Sequence, residues 1–155
     1  MNTNHMKQAM ASALKGMRQK GGGPFGAVVV KDDQIIGSGY NSVTANNDPT
    51  AHAEIVAIRE ACQVLEGFQL TGCEIYTTCE PCPMCLGAIY WARLDRLFYA
   101  CSKQDAAEAG FDDAFIYEEI KLDPSERRIP FEAMPKDEAL GLFREWQNNP
   151  DKLDY

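Results

Sequence analysis

Met6, Ala9, Met10, Ala13, Leu14 and Met17 recur at intervals of three and four, the spacing of one apolar helical face. Asn2, Thr3 or Asn4 can cap this helix, and the methionine stripe reads as core. Gly21-Gly22-Gly23-Pro24 ends it. Residues 27–31 and 34–40 then read as two strands joined through Asp32-Asp33, a hairpin. The glycine run invites comparison with a phosphate-binding loop. It lacks the following Lys-Ser/Thr and precedes a strand instead of linking a strand to a helix, so it is read as a turn.

Residues 41–49 are polar and turn-rich, and a helix starting at Thr50 directs Ile55, Ile58, Cys62 and Leu65 to a core, with His52 and Glu54 in its first turn. A strand follows at 74–78, and Pro83 occupies the first position of the next helix with Cys82 as its cap. Residues 96–100 make another strand, and 112–122 and 137–148 the closing helices. Helices interleaved with strands imply α/β layers. There is no internal repeat.

At 155 residues and 45% hydrophobic, the chain suits one domain, 1–155, with 150–155 as a C-terminal tail. No apolar run approaches the ~20 residues of a membrane span, and the N-terminus lacks the features of a signal peptide. Of the six cysteines, three crowd between Cys79 and Cys85, spaced for a metal and not for a disulfide framework. The expectation is a cytoplasmic protein in a reducing compartment. A net charge of −8 bears on partners, because a phosphate backbone requires clustered Lys and Arg. The nearest candidates, 15–20 and Arg127-Arg128, read as solvated surface, so a small uncharged substrate is expected, with no nucleic-acid or membrane partner.

The chemistry lies in His52-Ala53-Glu54 and, 28 residues after the Glu, Cys82-Pro83-Met84-Cys85 with Pro81 in front. These residues supply three zinc ligands, His52, Cys82 and Cys85, and one unligated carboxylate. A catalytic zinc takes three protein ligands and keeps a position open, whereas a structural zinc is closed by four. Cys82 and Cys85, three apart at a helix start, lie on one face, and a helix N-terminus favours thiolates. His52 and Glu54 are two apart and converge on one point only at a helix end, where Pro49 places them. The pattern matches the H-x-E with P-C-x-x-C signature of zinc nucleobase deaminases. In that chemistry Glu54 takes a proton from water, passes it to a ring nitrogen and then protonates the departing ammonia.

Plainer readings exist for each half. A lone histidine is commonly packed or at the surface, and a lone C-x-x-C is also a redox pair. Cys79, Cys82 and Cys85 form C-x-x-C-x-x-C, the start of an iron–sulfur motif, but the fourth cysteine followed by proline is missing. Cys79 is read as a buried small residue at a strand end, and Cys62, Cys73 and Cys101 as core.

Beyond the zinc motifs, four stretches carry a resemblance over nearly the whole chain: Gly22-Gly-Pro-Phe-Gly-Ala-Val-Val-Val-Lys31, Asn47-Asp-Pro-Thr-Ala-His-Ala-Glu54, Thr78-Cys-Glu-Pro-Cys-Pro-Met-Cys-Leu-Gly-Ala-Ile-Tyr-Trp-Ala-Arg93 and Glu108-Ala-Gly-Phe-Asp-Asp113. The chain resembles the cytidine deaminase superfamily. Ala-Gly-Phe-Asp-Asp and the terminal Lys-Leu-Asp-Tyr are most similar to the bacterial guanine-deaminating branch. The resemblance implies a three-layer α/β/α domain on a five-stranded mixed sheet, a homodimer and one zinc per chain. It implies Asn41 hydrogen-bonding the purine, Phe25 and Trp91 lining its pocket, Asp113 reading the base or relaying a proton, and Tyr155 closing the site. Each has a plainer reading: a turn residue for Asn41, core packing for Phe25 and Trp91, a helix cap for Asp113 and a frayed end for Tyr155.

The resemblance thus implies hydrolysis of guanine to xanthine and ammonia, with attack at carbon 2. Its rivals are tRNA adenosine deamination, disfavoured by the lack of a basic surface, and cytosine or aminotriazine deamination. A non-catalytic zinc or iron–sulfur protein is the alternative outside this chemistry.

Overall fold

The computed structural model describes residues 2–111 and 113–154. Helix α1 (Thr3–Arg18) starts at Asn2, whose side chain accepts the Asn4 N–H at 3.0 Å. Its buried residues are His5, Ala9, Ala13 and Gly16, while Met10, Leu14 and Met17 are 56%, 42% and 41% exposed. The methionine stripe is therefore not the core face. The reason is the closeness of α1 to strand β1 (Gly26–Lys31): a Cβ at Gly26 would strike the Ala9 carbonyl oxygen and the Ala13 nitrogen. Small residues line a backbone-to-strand contact, and the longer methionines flank it.

Strand β2 (Gln34–Tyr40) returns antiparallel to β1 through Asp32 and Asp33, both at positive φ (49° and 62°), as a two-residue hairpin turn of the right twist demands. Helix α2 (Val43–Asn46) is one turn inside the segment expected to be a loop. Helix α3 (Ala53–Val64) begins three residues later than expected and packs on β2 through Ala53, Ala57 and Ala61, whose backbone would meet a Cβ at Gly37 or Gly39. Ile58 is buried with them, whereas Ile55, Cys62 and Leu65 are only half-buried. Strand β3 (Cys73–Cys79) pairs antiparallel with β1, helix α4 (Pro83–Trp91) crosses over, and β4 (Arg96–Cys101) pairs parallel with β3.

The sheet order is β2-β1-β3-β4. Alternation along β1 separates its two faces: Ala27 and Val29 join α3, α4 and Ile75 in one apolar cluster, and Val28 and Val30 join Ala9 and Tyr76 in another. The result is an α/β/α stack. Among the described residues the sheet has four strands, matching the four strand-like segments of the sequence and not the five implied by the resemblance. Directly after β4, the side chains of Ser102 and Asp105 form a reciprocal capping box that starts helix α5 (Lys103–Glu108). Helix α6 (Ala114–Lys121) follows.

The chain divides between Ile116 and Tyr117 into two compact units. The second unit continues through a short 3-10 turn (Pro124–Glu126) to helix α7 (Asp137–Asn148). Within it the Arg128 guanidinium reaches the Glu119 carboxylate at 3.3 Å, and the Arg127 guanidinium lies 4.8 Å from the Phe131 ring. None of the residues of α6, the 3-10 turn or α7 is buried, and Ile129, Leu142 and Phe143 are 73%, 70% and 66% exposed. No helix among the described residues is long and apolar enough to cross a membrane.

Candidate active site

Two helix starts build the centre. His52 is the N-cap residue of α3 (φ −70°, ψ 155°), and Cys82 is the N-cap residue of α4 with Pro83 at the first helical position. Neither side chain caps its own helix. Instead the Asp48 carboxylate accepts the Thr50 N–H at 2.8 Å and its hydroxyl at 2.7 Å, a turn that hands the chain to His52. The His52 Nδ1 lies 3.6 Å from Cys82 Sγ and 3.6 Å from Cys85 Sγ, and the three donor atoms all fall within 4.8 Å of one another. Zn–S of about 2.3 Å and Zn–N of about 2.0 to 2.1 Å at a tetrahedral angle require an N···S separation of about 3.6 Å. The donor set fits zinc.

Protons and a cation compete for the same lone pairs. Hydrogen bonds from Cys85 and then His52 bring the Cys82 thiol down to about 4, with burial opposing. The same Cys82 pairing, then burial, pushes Cys85 well up, and the Cys82 bond raises His52. Two helix N-termini add favourable potential for thiolates.

Glu54, in the first turn of α3, is 7% exposed and stands outside the donor set. Burial, the dominant cause, raises its carboxyl above the usual range. Cys79 is buried at the end of β3 as expected, its Sγ donating to the Ser102 carbonyl at 3.5 Å, and burial raises the thiol to about 11. It does not belong to the donor cluster, which removes the start of an iron–sulfur motif. Cys73 is core, Cys62 half-buried, and Cys101 exposed, contrary to its expected core position, because it ends the edge strand β4.

A cavity of about 330 Å³ opens over this centre. That lies within the ~300–1,000 Å³ range of small-molecule sites. His52, Glu54, Cys82, Phe25, Asn41 and Asp113 all line it, so the fold gathers six of the residues singled out in the sequence. Asn41 is buried, its backbone N–H donating to the Phe25 carbonyl at 3.0 Å and its side-chain oxygen accepting the Val43 N–H at 3.3 Å. Asp113 is half-buried, and its carbonyl accepts the Ile116 N–H at 3.0 Å at the start of α6. Phe111, Met84, Glu80 and Lys103 also line the cavity and were not anticipated. For Phe111 the available signal was its place inside Ala-Gly-Phe-Asp-Asp. Its ring meets Phe25 edge-on at 4.9 Å between centroids. The glycine run packs against this wall: a Cβ at Gly23 would press on both rings, and one at Gly22 on the Asn41 carboxamide.

Two expected residues are placed differently. Trp91 ends α4, is 64% exposed with the Arg93 guanidinium 5.8 Å from its ring, and is not among the residues lining its own chain's cavity. The N-terminus of α4 faces the donor set, and nine residues of helix carry Trp91 about 13 Å away at a rise of about 1.5 Å per residue. Tyr155 lies outside the described residues.

The family model for the cytidine and deoxycytidylate deaminase zinc-binding region matches residues 1–101. The chain belongs to this family. It is 56% identical over 150 residues to guanine deaminase of Bacillus subtilis (strain 168), covering 97% of this chain and 96% of that protein. The X-ray structure of the Bacillus subtilis guanine deaminase superposes with a TM-score of 0.97 at 55% identity, covering 100% of this chain and 99% of that one. The tRNA-specific adenosine deaminase of Aquifex aeolicus (strain VF5) is 39% identical over 142 residues, 91% of this chain and 90% of that protein. Membership in the deaminase family makes the His52, Cys82 and Cys85 donor set a zinc site in a hydrolytic enzyme, in keeping with its donor spacing.

Proposed function

We infer that the chain is a zinc-dependent guanine deaminase, converting guanine and water to xanthine and ammonia. The observation that carries the chemistry is Glu54: a buried carboxylate beside a three-donor zinc site and outside it, lining the same cavity. The near full-length similarity to the Bacillus subtilis enzyme supports guanine as the base.

His52, Cys82 and Cys85 hold the zinc, which when bound lowers the pKa of a water from about 15.7 toward about 7. Glu54 would accept one proton of that water as carbon 2 of the purine is attacked and deliver it to the ring nitrogen; it would then take the remaining proton of the added hydroxyl, as the carbonyl forms and the C–N bond breaks, and pass it to the leaving amine. A carboxyl raised by burial is suited to this two-way traffic, because its affinity for a proton approaches that of its partners. Asn41 offers a fixed amide to the purine edge, and Phe25 with Phe111 supplies an apolar wall. Asp113, which lines the same cavity, reads the base or relays a proton.

The second unit's exposed apolar residues, together with Tyr90 and Trp91, 71% and 64% exposed on α4, support a homodimer in which Trp91 serves the interface or a partner's cavity. In that dimer the protomers exchange their C-terminal segments, with Tyr155 closing a site. A net charge of −8 supports an enzyme acting on a free base in place of tRNA.

The test is ammonia release from guanine, adenine, cytosine, cytidine and a tRNA anticodon stem-loop. Guanine should exceed adenine by up to about 10,000-fold, since a base with the wrong edge leaves buried polar groups unpaired. Equal rates on guanine and the stem-loop refute the reading.

A further inference from the structure

We propose that Glu80 is a positioning residue whose carboxylate ties the cavity wall formed by α5 and Phe111 to the strand end that carries the zinc ligands. The inference rests on the guanine reading above. Glu80 follows Cys79 at the end of β3 and stands two residues before Cys82. Its backbone N–H donates to the Cys101 carbonyl at 2.8 Å. Its side chain, 30% accessible, lines the cavity, accepts the Lys103 backbone N–H at 3.2 Å, and lies 4.0 Å from the Lys103 ammonium.

The wall needs such a tie. Helix α5 has six residues, none of them buried, so apolar burial holds it weakly. The capping box of Ser102 and Asp105 satisfies the Ser102 and Asp105 N–H groups, and the Lys103 N–H goes to Glu80. The last turn then suspends Phe111 directly: the Phe111 N–H donates to Ala106 at 2.9 Å, and Gly110 turns at φ +90°. A displacement of α5 is therefore a displacement of Phe111 against Phe25, and of Asp113 two residues on. The zinc ligands, fixed by α3 and α4, would stay where they are. Loss of the tie should loosen purine binding while sparing the bond-breaking step.

The test compares Glu80→Ala, Glu80→Gln and Glu80→Asp in the zinc-loaded full chain, with three readouts: zinc content, amide hydrogen exchange and guanine kinetics. Glu80→Ala should raise KM about tenfold, the equivalent of about 1.4 kcal/mol from a bond to a charged group. With it, kcat should stay within about threefold, zinc should remain, and exchange should quicken in 103–111 but not in 53–64. Glu80→Gln, whose amide oxygen still accepts the Lys103 N–H, should restore most of KM. Glu80→Asp keeps the charge but shortens the reach by one methylene, and should shift KM in the Ala direction even if the Ala chain fails to fold. Zinc and kcat falling together would assign Glu80 to the metal loop and overturn the proposal. So would unchanged KM and exchange in both Ala and Asp variants, or a Gln variant as impaired as Ala, which would mean direct charge recognition of the substrate. A wild-type chain inert toward guanine refutes the substrate reading, while the exchange comparison still decides the tie.

Discussion

Replacing Glu54 by Gln separates zinc binding from proton transfer. The two side chains have nearly the same volume, and Glu54 is 7% exposed, so the cavity keeps its shape. None of the three donors is touched, so zinc stays. What disappears is the group proposed to move protons between water, ring nitrogen and amine. General acid–base groups contribute about 100- to 10,000-fold, so kcat should fall by that factor, or about 3 to 5 kcal/mol of barrier. Metal analysis, calorimetric binding of xanthine and steady-state ammonia release together read the effect. Turnover within about threefold of wild type, with zinc intact, would falsify the assignment of Glu54 as proton carrier. The same variant carries a stability signature. Burial raises the folded-state pKa of Glu54 above its ordinary 4.5. A carboxyl shifted that way contributes stability that is fully present below the unfolded pKa and is lost as pH rises through the folded one. In chelator-treated protein the melting temperature of Glu54→Gln relative to wild type should therefore climb between acidic and mildly alkaline pH, and a flat difference would contradict the burial argument.

Cys82→Ala and His52→Ala should lose both zinc and activity, whereas Cys79→Ala should retain one zinc per chain by elemental analysis, because its sulfur bonds the Ser102 carbonyl and lies outside the donor cluster. Zinc affinity should weaken as pH falls, since the raised Cys85 thiol must release its proton to ligate. Gly26→Ala should lower stability by about 1 to 3 kcal/mol in urea unfolding, as its Cβ would meet the Ala9 and Ala13 backbone of α1; an unchanged midpoint would show that α1 does not lie that close. Deleting residues 150–155 should preserve zinc and far-ultraviolet circular dichroism while guanine turnover drops at least about tenfold. Unchanged kinetics return Tyr155 to a frayed end, and recovery on mixing tail-deleted with Glu54→Gln chains would demonstrate exchange between protomers.

The sequence by itself determined the zinc ligands, Glu54 and the order of the main helices and strands, because these rest on local rules. Pro83 at a helix start, Asp32-Asp33 between two β-branched runs, and donors that converge only at helix ends each constrain the backbone within a few residues. The final helix, Asp137–Asn148, was legible to its ends for the same reason. Which helical face is buried was decided by the tertiary structure. The apolar face of α1 has the right period, but its centre is shifted from the methionines to Ala9 and Ala13, since Gly26 in β1 lets the two backbones approach so closely that only alanines fit beneath. The assembly of the cavity wall was likewise left to the tertiary structure: the resemblance implied Phe25 and Asn41 but not Phe111, and the three meet through glycines 22 and 23, whose lack of a Cβ matters only once residues far apart in sequence are brought together. Trp91 shows the converse. Its resemblance-based role placed it near the purine, yet the length of α4 carries it away from its own cavity, a consequence of helical rise that spacing along the chain does not reveal without knowing which end of the helix faces the metal.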